Sequence, residues 1–185
     1  MPGELLIRWT ARFAVACYVA RLLYDAAGMT EPSAQRQARW WWTVGCGWFI
    51  LHVVSAFHFL HEWNHDAAYT YTAKRTAELT GWSSGLGLYI NEAFVALWVV
   101  DTLLWWRDLS WPNNRSGYWG VQTVFAFLMI QATAVFGPSF WIPIVIMIAG
   151  LLAVVRLLTR AGVDASPAAS ELPTRTGSEK ASLKS

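Results

Sequence analysis

The run from Trp40 to Glu62 is long and apolar enough to cross a lipid bilayer, and that property removes most folds from consideration. A helix rises ~1.5 Å per residue, so this run covers the ~30 Å hydrocarbon core. Inside hydrocarbon each main-chain N–H and C=O must find its partner within the protein, which a helix of this length provides. Trp40, Trp41 and Trp42 stand at one end and Trp63 at the other. These are the levels an indole favours, half in lipid and half hydrogen-bonded.

Four further segments repeat the pattern with varying purity. Segment one, Leu5 to Ala27, carries Arg8, Arg12, Arg21 and Asp25. Its pairs Glu4/Arg8 and Arg21/Asp25 are each four apart, adjacent on a helix, which lowers the cost of their charge. It either spans or lies in the interface as an amphipathic helix. Segment three runs from Leu86 to Trp106, segment four from Tyr118 to Phe136 and segment five from Phe140 to Leu158. Gly137-Pro138-Ser139 reads as the turn between the last two, and Pro143 falls in the first turn of segment five, where its missing N–H does little harm.

The expected fold class is therefore all-α: a polytopic membrane helical bundle of four to five transmembrane helices, over residues 1–160. Residues 161–185 are rich in Ser, Ala, Pro, Thr, Glu and Lys and read as a disordered cytoplasmic tail. Composition agrees, since charged residues make up 14% of the chain against about 25% in soluble domains. The formal charge of +2 is too small for a nucleic-acid partner, leaving the lipid bilayer, a membrane protein partner or a second copy. Cys17 and Cys46 sit in apolar segments, with no CxxC spacing, and read as small buried hydrophobes. Phe13 to Ala20 is a short apolar core behind Arg8 and Arg12, but Arg21 and more apolar residues follow at once. That order predicts an uncleaved first helix, not a signal peptide.

Basic residues orient the bundle. The side holding the 28–39 and 107–117 loops and the tail collects Arg36, Arg39, Arg107, Arg115, Arg156, Arg160, Arg175, Lys180 and Lys184. The positive-inside tendency makes that side cytoplasmic, with the C-terminus, and the 63–85 loop external. The expected location is the bacterial inner (cell) membrane. Residues 66–79 of the external loop lack Gly and Pro and read as a helix ended by Gly81.

All four histidines, His52, His58, His61 and His65, fall on segment two or just past it. Ionisable residues at membrane depth tend to mark function. On a continuous helix His58, His61 and His65 lie within about 60° of one another, while His52 points away. Two imidazoles at i and i+4 can hold one zinc ion, and a third at i−3 approaches the same point; copper or iron also accept imidazole. Glu92, in segment three, is expected at comparable depth, close to His58 or His61. Asp101 reads as an interfacial acid near Arg107.

His61-Glu62-Trp63-Asn64-His65 is an HExxH string, and Asn91-Glu92-Ala93-Phe94 follows it. Together they resemble the zinc-binding elements of gluzincin-type metallopeptidases. The resemblance covers about a dozen residues. It implies His61, His65 and Glu92 as zinc ligands and Glu62 as the general base that activates metal-bound water. Three functions stay open on the residues alone: a metal-dependent activity at a His58/His61/His65/Glu92 site, a non-enzymatic membrane subunit or scaffold whose polar cluster is packing, and proton or ion handling.

Overall fold

The computed structural model describes residues 2–113, 115–135 and 137–165. Among them are six helices and no strand: α1 (Pro2–Ala26), α2 (Pro32–Leu60), α3 (His65–Thr80), α4 (Leu86–Arg107), α5 (Arg115–Ile130) and α6 (Trp141–Ala165). A 3-10 turn, Trp111–Asn113, precedes α5, and a π-helical turn, Gln131–Val135, continues it. Three helices, α2, α4 and α6 as far as Gly162, are long and apolar enough to cross a membrane.

Several boundaries differ from those read off the sequence. Helix α2 starts at Pro32, not Trp40, because Pro is pre-set for a helix's first turn and the polar run Ser33–Arg39 continues from it. It ends at Leu60, two residues short of Glu62. Helix α6 continues to Ala165, past the expected tail boundary at 160. The rest of that predicted tail, 166–185, lies outside the described residues.

Helices α1 and α2 form the most extensive pairing. They run antiparallel along almost their whole length. A Cβ on Gly3 would come within 2.7 Å of the Phe59 ring, and at the other end the Tyr24 hydroxyl donates to Gln37 Oε1 at 2.9 Å. Small buried residues permit the approach: Ala14 and Cys17 on α1, Ala34, Ala38, Gly45 and Cys46 on α2. Gly45 is a close point midway along the seam, where an added Cβ would stand 3.0 Å from both Cys17 Cβ and Trp98 Cζ2.

The core beside this seam is aromatic. Trp42, Trp98, Trp105 and Phe125 are almost wholly buried, with Tyr18 and Phe94 against them. Phe125 joins α5 to the rest: its ring centroid is 4.5 Å from Phe94, 4.7 Å from Trp42 and 5.0 Å from Trp98. Each such pair contributes about 0.5–1.5 kcal/mol beyond its buried area. Helix α6 is different. None of its most apolar stretch is buried within the chain; it touches α1 and the π-turn.

Candidate functional site

The histidine string does not lie on one helix. Helix α2 stops at Leu60 and α3 starts at His65, so His61 to Asn64 form the break between them. Glu62 and Trp63 both take left-handed backbone, with φ of 49° and 62°. Such a residue other than glycine costs about 1–2 kcal/mol. The turn is held from both sides. Trp63 N–H donates back to the Phe57 carbonyl at 3.0 Å, and Asn64 caps α3, its Oδ1 accepting from Ala67 N–H at 3.1 Å. Helix α3 ends as expected at Gly81, whose φ of 76° lets its N–H close on Ala77 O.

The break redistributes the predicted site residues. His65 Nε2 stands 2.9 Å from Glu92 Oε1, joining the first turn of α3 to α4. Glu92 was expected beside His58 or His61; the structure gives it His65 because α3 folds back over the start of α4. The Tyr69 ring presses on Gly85, where a Cβ would come within 2.5 Å of it, which fixes how α3 lies. His58 Nδ1 instead accepts the indole N–H of Trp63 at 3.3 Å, which places its ring proton on Nε2. His61 packs edge-on to Phe57 and Tyr71, at 5.8 and 5.3 Å, and its partial burial holds its pKa below the usual histidine range. The His65 ring lies 6.2 Å from the same Phe57. Glu62 is exposed on the turn. His52 faces away, as its register predicts: its Nδ1 sits 2.9 Å from the Ile7 carbonyl of α1. Among the described residues no three His, Cys, Asp or Glu side chains gather closely enough to hold a metal ion.

A second polar centre lies at the opposite end of the bundle, deeper than its residue spacing indicates. Arg21 is 1% exposed, ion-paired with Asp25 and stacked at 4.5 Å over Trp105. Asp25 also accepts the Tyr118 hydroxyl at 2.7 Å, which ties α1 to α5. Asp101, expected at the interface near Arg107, is instead buried and accepts the Trp111 indole N–H at 2.9 Å. The 108–113 connection delivers that indole. Ser110 donates its hydroxyl and its N–H to Asp108 Oδ1, at 2.7 and 2.8 Å, and those bonds hold the exposed Asp108 below the usual carboxylate range. Four-residue spacing did mark the Arg21/Asp25 pair; nothing local marked Trp111 as the partner of Asp101.

No family model, curated protein or solved structure matches the chain.

Proposed function

We propose that the chain is a multi-pass protein of the bacterial inner (cell) membrane, acting as a non-enzymatic subunit or scaffold. Its five spans are α1, α2, α4, α5 with the π-turn, and α6. The observation that carries the scaffold reading is that each histidine has a packing task of its own. His52 ties α2 to α1, His58 and His61 hold the α2–α3 turn, and His65 with Glu92 latches α3 onto α4. The apolar face of α6 is left for lipid or a membrane partner.

Two features support five spans. Helix α1 is too charged to qualify by composition, but it follows α2 from Gly3 at Phe59 to Tyr24 at Gln37, so it crosses wherever α2 does. The π-turn lengthens α5 from 16 residues by 5, enough for the hydrocarbon core. Arg36, Arg39, Arg107, Arg156 and Arg160 then share one end with the C-terminal side, which is cytoplasmic, and the α2–α3 turn is external.

The test is a double-mutant cycle on the latch. His65→Ala and Glu92→Gln each lower thermal stability in detergent, and the double variant is little worse than either, a coupling of about 0.2–1 kcal/mol for a pair as exposed as this. Additive losses contradict the latch.

A second reading rests on the same pair. A histidine and a carboxylate from two helices are two of the four ligands of a zinc site, and copper or iron suit imidazole too. His61 packs on the same Phe57 and would have to move from that place to supply a third ligand, and His58 is near it only in sequence. Metal analysis of the purified protein separates the readings. Stoichiometric metal lost in both His61→Ala and His65→Ala supports the metal site. If Glu62→Gln then keeps the metal and ends a hydrolytic activity, Glu62 is the base of a peptidase-like site.

A further inference from the structure

The end of the α2–α4 seam that faces the cytoplasm carries cations without counter-charges. Arg36 and Arg39 lie on one face of α2, and Arg107 ends α4 at the same level, next to the Trp106 ring on which Arg39 stacks at 4.0 Å. The ion pairs among the described residues use Arg8, Arg21, His65 and Arg75 as their basic partners, so none of these three arginines has one. Glu31 and Asp108, the acids nearest to them in sequence, pair with none of the three. Arg36 and Arg107 are exposed.

Arg39 is held in place by its neighbours. Besides stacking on Trp106, it donates one N–H to the Trp105 carbonyl at 3.4 Å. Trp106 is fixed in turn: its indole N–H donates to Thr43 Oγ1 at 2.9 Å, and its ring meets Trp40 edge-on at 5.0 Å. A guanidinium carries five N–H donors, so most of those on Arg39 remain without a partner among the described residues. Deeper in the membrane the two helices turn apolar on the same side. Gly47 continues the face of Arg36, Trp40 and Thr43, and the exposed Val100 and Leu103 precede Trp106 and Arg107 on α4. A Cβ added at Gly47 would meet nothing within 4 Å, so the strip is open there. At ~1.5 Å per residue it lies ~12 Å deeper than Arg39.

We infer, on the membrane reading proposed above, that this edge binds an anionic phospholipid of the cytoplasmic leaflet, its phosphate among Arg36, Arg39 and Arg107 and an acyl chain along Gly47 and Leu103. The guanidinium fork matches phosphate oxygens, and basic sites between spans on the cytoplasmic side suit anionic headgroups. The indoles of Trp40 and Trp106 stand where headgroup gives way to hydrocarbon. Charge selects the lipid. Three cations with no carboxylate complement a headgroup of net negative charge, whereas a zwitterionic headgroup brings its own ammonium, which they repel.

Competition for radiolabelled phosphatidylglycerol on the full protein in detergent tests this. Unlabelled phosphatidylglycerol is expected to compete at least about tenfold better than phosphatidylcholine of the same chains, since one arginine near an anionic headgroup contributes about fivefold. The double variant Arg36→Gln/Arg107→Gln, changed only at exposed positions, is expected to lose most of that preference. Arg39→Gln loses it too, but unstacking Trp106 endangers packing, so the exposed pair decides. Arg160→Gln, another exposed arginine at this end, keeps the preference. Equal competition by the two lipids in the parent overturns the proposal. A loss in Arg160→Gln as large as in the double variant overturns the location. Inorganic phosphate that displaces the lipid better than chloride does at equal ionic strength marks a site for the free anion and overturns the lipid assignment. Binding in detergent does not depend on the number of spans or on the latch, so a failure here and a failure of the proposed function are read separately.

Discussion

Arg21 shows how much one residue can depend on its surroundings. It is a cation at 1% exposure that the chain tolerates because Asp25 lies one helical turn away and Trp105 offers its ring face. Removing one partner of a buried ion pair costs about 3–5 kcal/mol, since the other charge is left uncompensated. Asp25→Ala is therefore expected to destabilise far more than Glu4→Ala, whose 3.9 Å pair with Arg8 is exposed and contributes about 0–1 kcal/mol. Comparing their thermal unfolding in detergent checks this, and similar small losses would contradict it. His61 gives a pH dependence. Its folded pKa is depressed by burial, so the folded state binds fewer protons than the unfolded state, and stability rises with pH. The contribution is present above the ordinary value of about 6.5 and is lost as pH falls from there through the depressed value. His61→Phe keeps the ring contacts to Phe57 and Tyr71, so its unfolding midpoint is expected to fall less on mild acidification than the parent's. Parallel pH profiles would rule this contribution out.

At the scale of elements, periodicity and termini were legible where they are local. Helix α4 runs to Arg107 from the Leu86 start the sequence predicts, and Gly81 ends α3. The Gly137-Pro138-Ser139 turn signal precedes α6. The break in the histidine string was not legible. Glu62 and Trp63 carry no turn signature, and Asn64 announces an N-cap only once a helix is known to restart after it. The three-histidine face assumed an unbroken helix, and the break moved Glu92 to His65. Two substitutions test the energetics of this turn. Glu62→Gly removes a left-handed penalty of about 1–2 kcal/mol and is expected to stabilise. Asn64→Ala loses the α3 cap and is expected to destabilise by about 0.5–2 kcal/mol. Denaturation in detergent reads both signs, and a destabilising Glu62→Gly would show that the carboxylate does more than occupy the turn.

For the whole molecule, composition and the aromatic collars indicated a helical chain with apolar helices, and three of its helices do meet the length and hydropathy of a span. The charged α1 could not be resolved from sequence because its Arg and Asp residues are costly alone and tolerable only against a neighbour. Asp25 on the same helix, Trp105 of α4 and Tyr118 of α5 supply such neighbours for Arg21, and the number of spans turns on α1. The most direct measurement is cysteine accessibility in intact cells, in a Cys17→Ala/Cys46→Ala background. Single cysteines go at Glu4, at Trp82 between α3 and α4, and at Arg160 near the end of α6. Five spans predict that positions 4 and 82 react with an impermeant maleimide from outside, and that position 160 reacts only after permeabilisation. Position 4 protected together with position 160 would place α1 on the cytoplasmic surface and contradict the five-span bundle.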